Sequence, residues 1–303
     1  MGAESRYADW IAVDWGTSHL RAWAMRQDKP VAESASEKGM GTLERSGFEP
    51  ALLDLIGPWL GQDRMTVVAC GMVGSRQGWT EAAYGAVPAN PMPGRMTRAE
   101  THDKRLAVHI LPGLKQDNPA DVMRGEETQI AGYLASAPRF DGVICLPGTH
   151  TKWAQISAGE VISFRTFMTG ELFALLSTQS VLRHTVGNGW DETAFAEAVS
   201  DAIARPEATA ARLFSLRAEG LLHGLGPAAA RARLSGALIG AELAASRPYW
   251  LGQDIVIIGA TGLASRYQEA LAQQGLAPRT IDATEATLAG LTTAWRTLEE
   301  AVT

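Results

Sequence analysis

The sequence predicts an α/β protein built in two lobes, and three observations carry that expectation. Its 303 residues exceed what one hydrophobic core usually serves. Short apolar strands alternate with amphipathic helices along the chain. One strand–turn–strand unit occurs twice, as "IAVDWGTSHLRAWAM" and "VICLPGTHTKWAQI". Each copy is a buried strand, a two-residue step, Gly-Thr, a polar pair, then a basic residue and a Trp on a new strand. A duplicated unit points to two lobes of similar build. The lobes are expected at 1–140 and 141–303, with the last helix a candidate to pack back on the first.

Trp10 to Val13 reads as a buried strand, and Leu20 to Met25 as its alternating hairpin partner. Phe48 to Leu60 has helical spacing through Leu52, Leu53, Ile56, Trp59 and Leu60. Met65 to Cys70 is a strand ending in "GMVGSRQGW", after which a long loop is expected to about Pro93. Leu106 to Leu111 is a strand. Arg124 to Ala137 is a helix, with Ile130, Tyr133, Leu134 and Ala137 on one face. Val143 to Leu146, Ala154 to Ile156 and "EVISFRTF" are strands. Helices then follow over Glu171–Arg183, Glu192–Ala204, Ala208–His223 and Ala229–Ser246. Ile255 to Ile258 is a last short strand, ending in "GATG" and a helix from Leu263. A final helix runs from about Glu285 to Glu299.

Composition excludes several classes. The net charge of −6, from 27 basic and 33 acidic residues, argues against a nucleic-acid surface. No apolar stretch has the length of a membrane span, and no signal-peptide core is evident near the first residue, so a cytoplasmic protein is expected. Cys70 and Cys145 lie in apolar runs and read as buried structural thiols. There is no G-x-x-x-x-G-K-[ST] loop, no G-x-G-x-x-G fingerprint, no G-x-S-x-G elbow and no zinc-ligand spacing.

The two turns carry the chemistry. A glycine turn lets backbone N–H groups approach phosphate oxygens, and the first turn adds hydroxyls and one carboxylate at the same point. That is a place to hold a phosphate and its metal ion. The alternative is a pair of ordinary hairpins, with Asp14 a turn-forming acid.

"VDWGTSHLRAW", "CGMVGSRQGWTEAAYGAVPA", "RGEETQIAGYL", "LPGTHTKWAQI" and "SFRTFMTGELFALLSTQSVL", in this order, resemble the 2-dehydro-3-deoxygalactonokinase family. That family is a sugar-kinase branch of the actin-like ATPase superfamily. The resemblance runs from Trp10 to about Leu298. It implies an actin-like ATPase (ribonuclease H-like) fold, with each lobe a mixed sheet flanked by helices. It also implies ATP and Mg²⁺ as cofactors and a small keto-deoxy sugar acid, phosphorylated on its terminal 6-hydroxyl, as substrate. Another keto-deoxy acid, or a phosphohydrolase on the same scaffold, is the alternative. Oligomeric state is left open, with a homodimer as one option.

Roles follow by resemblance. Asp14 would orient Mg²⁺, while Gly16, Thr17 and Ser18 contact the β and γ phosphates. Gly148 and Thr149 would cradle phosphates from the second lobe. Gly259, Ala260 and Gly262 of "GATG" resemble an adenosine turn. Relatives carry an acid where this chain has Leu146-Pro147, so Lys152 would favour phosphate instead.

A sugar kinase also needs a carboxylate to take the acceptor's proton. Related kinases start a helix with Gly-Asp-Gln, and Gly125-Glu126-Glu127 matches it with Glu126 in the Asp place and Glu127 as the second candidate. Acids in a first helical turn also favour the helix dipole without any catalytic role. Asp121 reads as a cap or loop acid. The substrate carboxylate calls for an arginine fork. Arg76 and Arg165 are the candidates, each otherwise a surface ion pair. Trp79 and Tyr84 are pocket walls or packing residues. Thr169, Gly170 and Glu171, where a strand meets a helix, could offer N–H groups to an anion. His19 and His150 occupy the two turns.

Overall fold

The strand Trp10–Trp15 is apolar on both faces, so it must be covered on both. The computed structural model, which describes residues 7–92 and 94–300, shows how. In chain order come β1 (Trp10–Trp15), β2 (Leu20–Arg26), β3 (Lys29–Ser36), α1 (Phe48–Ile56), β4 (Met65–Gly71), β5 (Tyr84–Ala86), β6 (Thr97–Arg98), β7 (Leu106–Ile110), β8 (Gly113–Asp117), β9 (Ala120–Met123) and α2 (Glu126–Ser136). Then follow β10 (Gly142–Leu146), β11 (Thr151–Ser157), β12 (Glu160–Phe167), α3 (Thr169–Thr178), α4 (Glu192–Ala204), α5 (Thr209–Leu222), α6 (Pro227–Ala245), α7 (Arg247–Trp250), β13 (Ile255–Gly259), α8 (Thr261–Ala272), β14 (Arg279–Asp282) and α9 (Ala283–Glu300).

The described residues separate into two compact units. One holds the chain through Phe140, Ser157–Ser163 and the stretch from Ala283 onward; the other holds Asp141–Ile156 and Phe164–Asp282. The first has a six-stranded sheet ordered β3-β2-β1-β4-β7-β6 and a small sheet β5-β8-β9. The second is built on the sheet β12-β11-β10-β13-β14. The internal echo extends to topology. β1 pairs antiparallel with β2 and parallel with β4, and β10 pairs antiparallel with β11 and parallel with β13.

In the first unit, Ile11, Val13 and Trp15 pack with Phe48 and Leu52 of α1. Trp10 and Ala12 face the other way, against Leu291 and Ala294 of α9, and Trp10 stacks on Trp295 at 5.2 Å. Asp14 shares that second face by strand alternation. In the second unit, Val143, Cys145, Ile255 and Ile257 pack with Phe195, Ile239 and Leu243 of α4 and α6.

Several sequence expectations need correction. The polar edge strands β3 and β14 and the hairpin β8–β9 lack apolar alternation and were not expected. Asp121 lies in β9, not in a loop or cap, because Ala120–Met123 pairs with β8. The expected loop after Cys70 is partly ordered, since Tyr84–Ala86 joins β8 as a parallel strand. The helix from Phe48 stops at Ile56, where Gly57-Pro58 turns the chain into a 3₁₀ segment. Glu171 lies in the first turn of a helix that ends at Thr178, short of Arg183.

Helices α2 and α9 cross at glycines. A Cβ on Gly132 would sit 2.0 Å from Ala286 O, and one on Gly290 would sit 2.0 Å from Thr128 O. Gly132→Ala is therefore expected to destabilise by about 2 kcal/mol or more, because overpacking outweighs the roughly 1 kcal/mol gain in helix propensity. Denaturant unfolding checks this; an unchanged midpoint would show that the crossing relaxes freely.

Candidate functional site

Cross-strand register builds the first half of the site. Asp14 lies opposite Arg21 in the β1–β2 pair, and Arg21 Nη2 donates to Asp14 Oδ2 at 2.5 Å. Arg21 Nη1 also donates to Thr284 Oγ1 at 3.2 Å, tying the start of α9 to the hairpin. In the turn, Gly16 N donates to His19 O at 2.9 Å, and Thr17 and Ser18 are exposed. Met40 N and Gly41 N donate to Gly16 O and Thr17 O, so the turn's carbonyls are satisfied from behind. Gly39 permits that approach, since a Cβ there would meet Ser18 C at 2.2 Å.

Two positive-φ glycines bring the acids together. Gly71 at the end of β4 has φ +90°, and a Cβ on it would lie 3.4 Å from Asp14 Oδ1 and 2.8 Å from Trp15 O. Gly125 at the head of α2 has φ +110°, and its Cβ position lies 3.4 Å from Gly71 Cα. Only glycine adopts both backbones without strain while letting the chains touch. Asp14 and the helix-leading acids therefore converge within one unit.

Those two acids differ sharply. Glu126 is half-buried, and its Oε2 accepts from Arg124 N at 3.1 Å. Glu127 is sealed at 1% exposure, and both its oxygens accept from Gly125 N at 2.8 and 2.7 Å. Burial, followed by the charge of Glu126, pushes Glu127 up to about 7 against the pull of the Gly125 N–H. Cys70 lies beneath, with Sγ 3.9 Å from Asp14 Oδ1; burial first, then Asp14 and Glu127, push its thiol well up. Among the described residues no group of three or more His, Cys, Asp or Glu side chains could hold a metal ion. A single carboxylate suits Mg²⁺, which keeps waters and takes phosphate oxygens.

The second unit offers a cavity of about 410 Å³ lined by Gly148, Thr149, Gly170, Phe173, Gly262 and Arg266 among others. The second turn is tied to α3 much as the first is tied from behind. Glu171 N donates to Thr149 O at 2.9 Å, and His150 Nε2 lies 2.5 Å from Glu171 Oε2. Gly259 ends β13 beside Pro147, Ala260 precedes α8, and Ala260 O accepts from Leu263 N and Ala264 N. Arg266 lies over the Trp190 ring at 4.0 Å, making one wall rigid.

Beneath the cavity lies a residue the sequence reading missed. Glu242 on α6 is 3% exposed and accepts from Trp153 Nε1 and Tyr267 OH, each at 2.8 Å, and from Thr169 Oγ1. Its one signal was a lone acid in the apolar, small-residue run "LIGAELAA". Burial pushes it up to about 7 against those donors. Glu127 and Glu242 both titrate near 4.5 when unfolded, so between pH 4.5 and 7 the native chain holds the extra protons. Their contribution to stability is therefore full below about 4.5, falls as pH rises toward 7, and levels off above, by about 3 kcal/mol each. Urea unfolding from pH 5 to 8 should show this fall, and Glu242→Gln should remove about half of it; a variant with the wild-type slope contradicts the assignment.

The remaining expected site residues sit as follows. Thr169 lines the cavity but commits its hydroxyl to Glu242. Lys152 is buried on β11 opposite Leu146. Arg165 is exposed on β12. Arg76 is exposed, with Nε 3.7 Å from Glu81. Trp79 belongs to the core rather than a pocket wall, because its ring packs on Trp15 and Phe48 at 6.2 and 6.3 Å.

The model of the 2-keto-3-deoxy-galactonokinase family matches residues 14–294. A Rhizobium meliloti protein named as a 2-dehydro-3-deoxygalactonokinase is 40% identical over 95% of this chain and 97% of its own. The Escherichia coli 2-dehydro-3-deoxygalactonokinase is 36% identical over 88% of this chain and 91% of its own. A Sinorhizobium meliloti crystal structure given the same enzyme name superposes with a TM-score of 0.89 at 40% identity, covering 95% of this chain and 96% of that one. At the level of fold alone, MreB 5 of Spiroplasma citri superposes with a TM-score of 0.51 at 10% identity, over 97% of each chain. The fold is thus the expected actin-like ATPase fold, and the chain belongs to the 2-keto-3-deoxy-galactonokinase family of phosphotransferases with an alcohol acceptor.

Proposed function

We propose that this chain transfers the γ-phosphate of ATP to the terminal 6-hydroxyl of 2-dehydro-3-deoxygalactonate, with Mg²⁺ as the metal, in the cytoplasm. The family membership supports the reaction class. The observation that carries the residue assignment is the convergence of Asp14 with the acids at the head of α2, through Gly71 and Gly125.

Phosphoryl transfer asks for position and charge compensation more than for covalent chemistry. Asp14 offers the carboxylate for the metal, held in place by Arg21. Mg²⁺, when bound, offsets charge on the phosphates. Gly16, Thr17 and Ser18 form the turn that meets phosphate; the Gly16 and Thr17 carbonyls and Gly16 N are already engaged, which leaves the exposed Thr17 and Ser18 as its donors. In the second unit, Gly148 and Thr149 serve the nucleotide's phosphates, and Gly259, Ala260 and Gly262 serve its adenosine. Lys152 is assigned there as a buried positive charge. Glu126 is the base, because its carboxyl is open enough to reach a substrate hydroxyl. Glu127 sits behind it and holds the Gly125 backbone. Arg76, Arg165 and Thr169 stand as weaker substrate-side candidates. Among the described residues no helix is long and apolar enough to cross a membrane.

The test is a coupled ADP assay across a panel of keto-deoxy sugar acids, with glycerol and hexoses as controls. ADP release that depends on 2-dehydro-3-deoxygalactonate supports the reading. ATP consumption independent of any acceptor would replace it with a phosphohydrolase.

A further inference from the structure

Arg124 stands directly before Gly125 and is 8% exposed. Its guanidinium lies 4.2 Å over the Tyr84 ring. Nε donates to Tyr84 OH at 3.3 Å, and Nη2 donates to Ala82 O at 2.7 Å. Nη1 is shut from solvent and has no hydrogen-bond partner among the described residues. Ser75 Oγ, at 5% residue exposure, is orphaned in the same way. The two flank Gly74. A Cβ at that position would sit 2.9 Å from Nη1 and 2.8 Å from Ile110 Cγ2, so only glycine lets the backbone lie this close to the nitrogen.

The direct partners of this guanidinium are a phenol, a carbonyl and a ring; the nearby Glu127 carboxyl feels its charge, but both Glu127 oxygens are engaged by Gly125 N. A buried cation with a spare donor, beside an orphaned hydroxyl, is poor design for stability alone, since unmet buried polar groups are costly. It suits an incoming acid, whose two oxygens match a guanidinium fork and a neighbouring hydroxyl. Arg124 is also two residues from Glu126.

We propose that Arg124 and Ser75 recognise the C1 carboxylate of the substrate, making Arg124 the residue that selects an acid over a neutral sugar. This rests on the functional reading above. It replaces the exposed Arg76 and Arg165 as carboxylate ligands. Because both atoms are closed off, the acid reaches them only when the packing around Gly74 opens.

The test is steady-state kinetics of the full-length enzyme with 2-dehydro-3-deoxygalactonate and with its uncharged C1 amide. Arg124→Met should raise KM for the acid about 10- to 100-fold, leave KM for ATP unchanged, and bring the acid-over-amide preference close to unity. Arg124→Lys should recover part of that preference. Ser75→Ala should lower it by a smaller factor, and it carries the test if Arg124→Met fails to fold. Equal losses on acid and amide would mark a structural pin and overturn the proposal, as would a wild-type enzyme with no preference for the acid, or an unchanged preference in Ser75→Ala. If the wild type phosphorylates no keto-deoxy acid, the functional reading fails separately. The site is then judged by thermal shift with pyruvate, the smallest 2-keto carboxylate. Stabilisation lost in Arg124→Met sustains it; stabilisation that persists or never appears overturns it.

Discussion

Asp14→Asn lowers kcat by about 10²- to 10³-fold while the protein stays folded. The substitution keeps the shape and removes the charge. Asn can still accept from Arg21, so the hairpin register of Asp14 with Arg21 persists. The ion pair is partly solvated, with side chains 20% and 37% exposed, so its loss costs about 1 kcal/mol or less. What disappears is the carboxylate that Arg21 fixes beside the first turn, the one proposed to orient a hard cation. A magnesium titration of the coupled ADP assay should show a weakened metal dependence together with the lost turnover. Wild-type kcat at saturating magnesium would remove Asp14 from the chemistry.

Glu126→Gln lowers kcat by about 10²- to 10⁴-fold and leaves KM for ATP near the wild-type value. The Gln oxygen still accepts from Arg124 N, so the head of α2 keeps its cap. Only proton acceptance is lost. Glu127→Gln is the comparison. Its carboxyl is sealed and engaged by Gly125 N, so a drop below about tenfold is expected. The reverse ranking, with Glu127→Gln nearly dead and Glu126→Gln active, would transfer the base to Glu127, whose elevation to about 7 matches that task.

Much of this was legible along the chain. Strands buried on both faces announced themselves as apolar runs, because β1, β4, β10 and β13 are covered on both sides and need no polar alternation. The edge strands did not. "KPVAESAS" is mostly exposed, so its sequence reports solvent rather than pairing. β8 and β9 are short, and tertiary pairing, not propensity, holds them. The two glycine turns were readable because glycine and hydroxyls cluster in consecutive positions, with an acid before the first.

The site's supporting residues were less visible. Glu242 joins β11, α3 and α8 from a distant helix, and its four-residue neighbourhood shows only small apolar groups. Arg124 looked like an ordinary charge beside a helix start. What sets it apart is burial against Tyr84 and Ala82, some 40 residues away. Arg76 and Arg165 were chosen from residue type alone, and the fold leaves both on the surface.

By itself, then, the sequence determined the α/β class, the duplicated hairpins, the positions of the central strands along the chain and the kinase family, because each is written in contiguous residues or in local periodicity. The tertiary structure alone decided which acids lie sealed, which arginine is buried with a spare donor, and which glycines let Asp14 meet the head of α2. Those facts depend on desolvation and on close approach between segments far apart in the chain, and no local pattern encodes either.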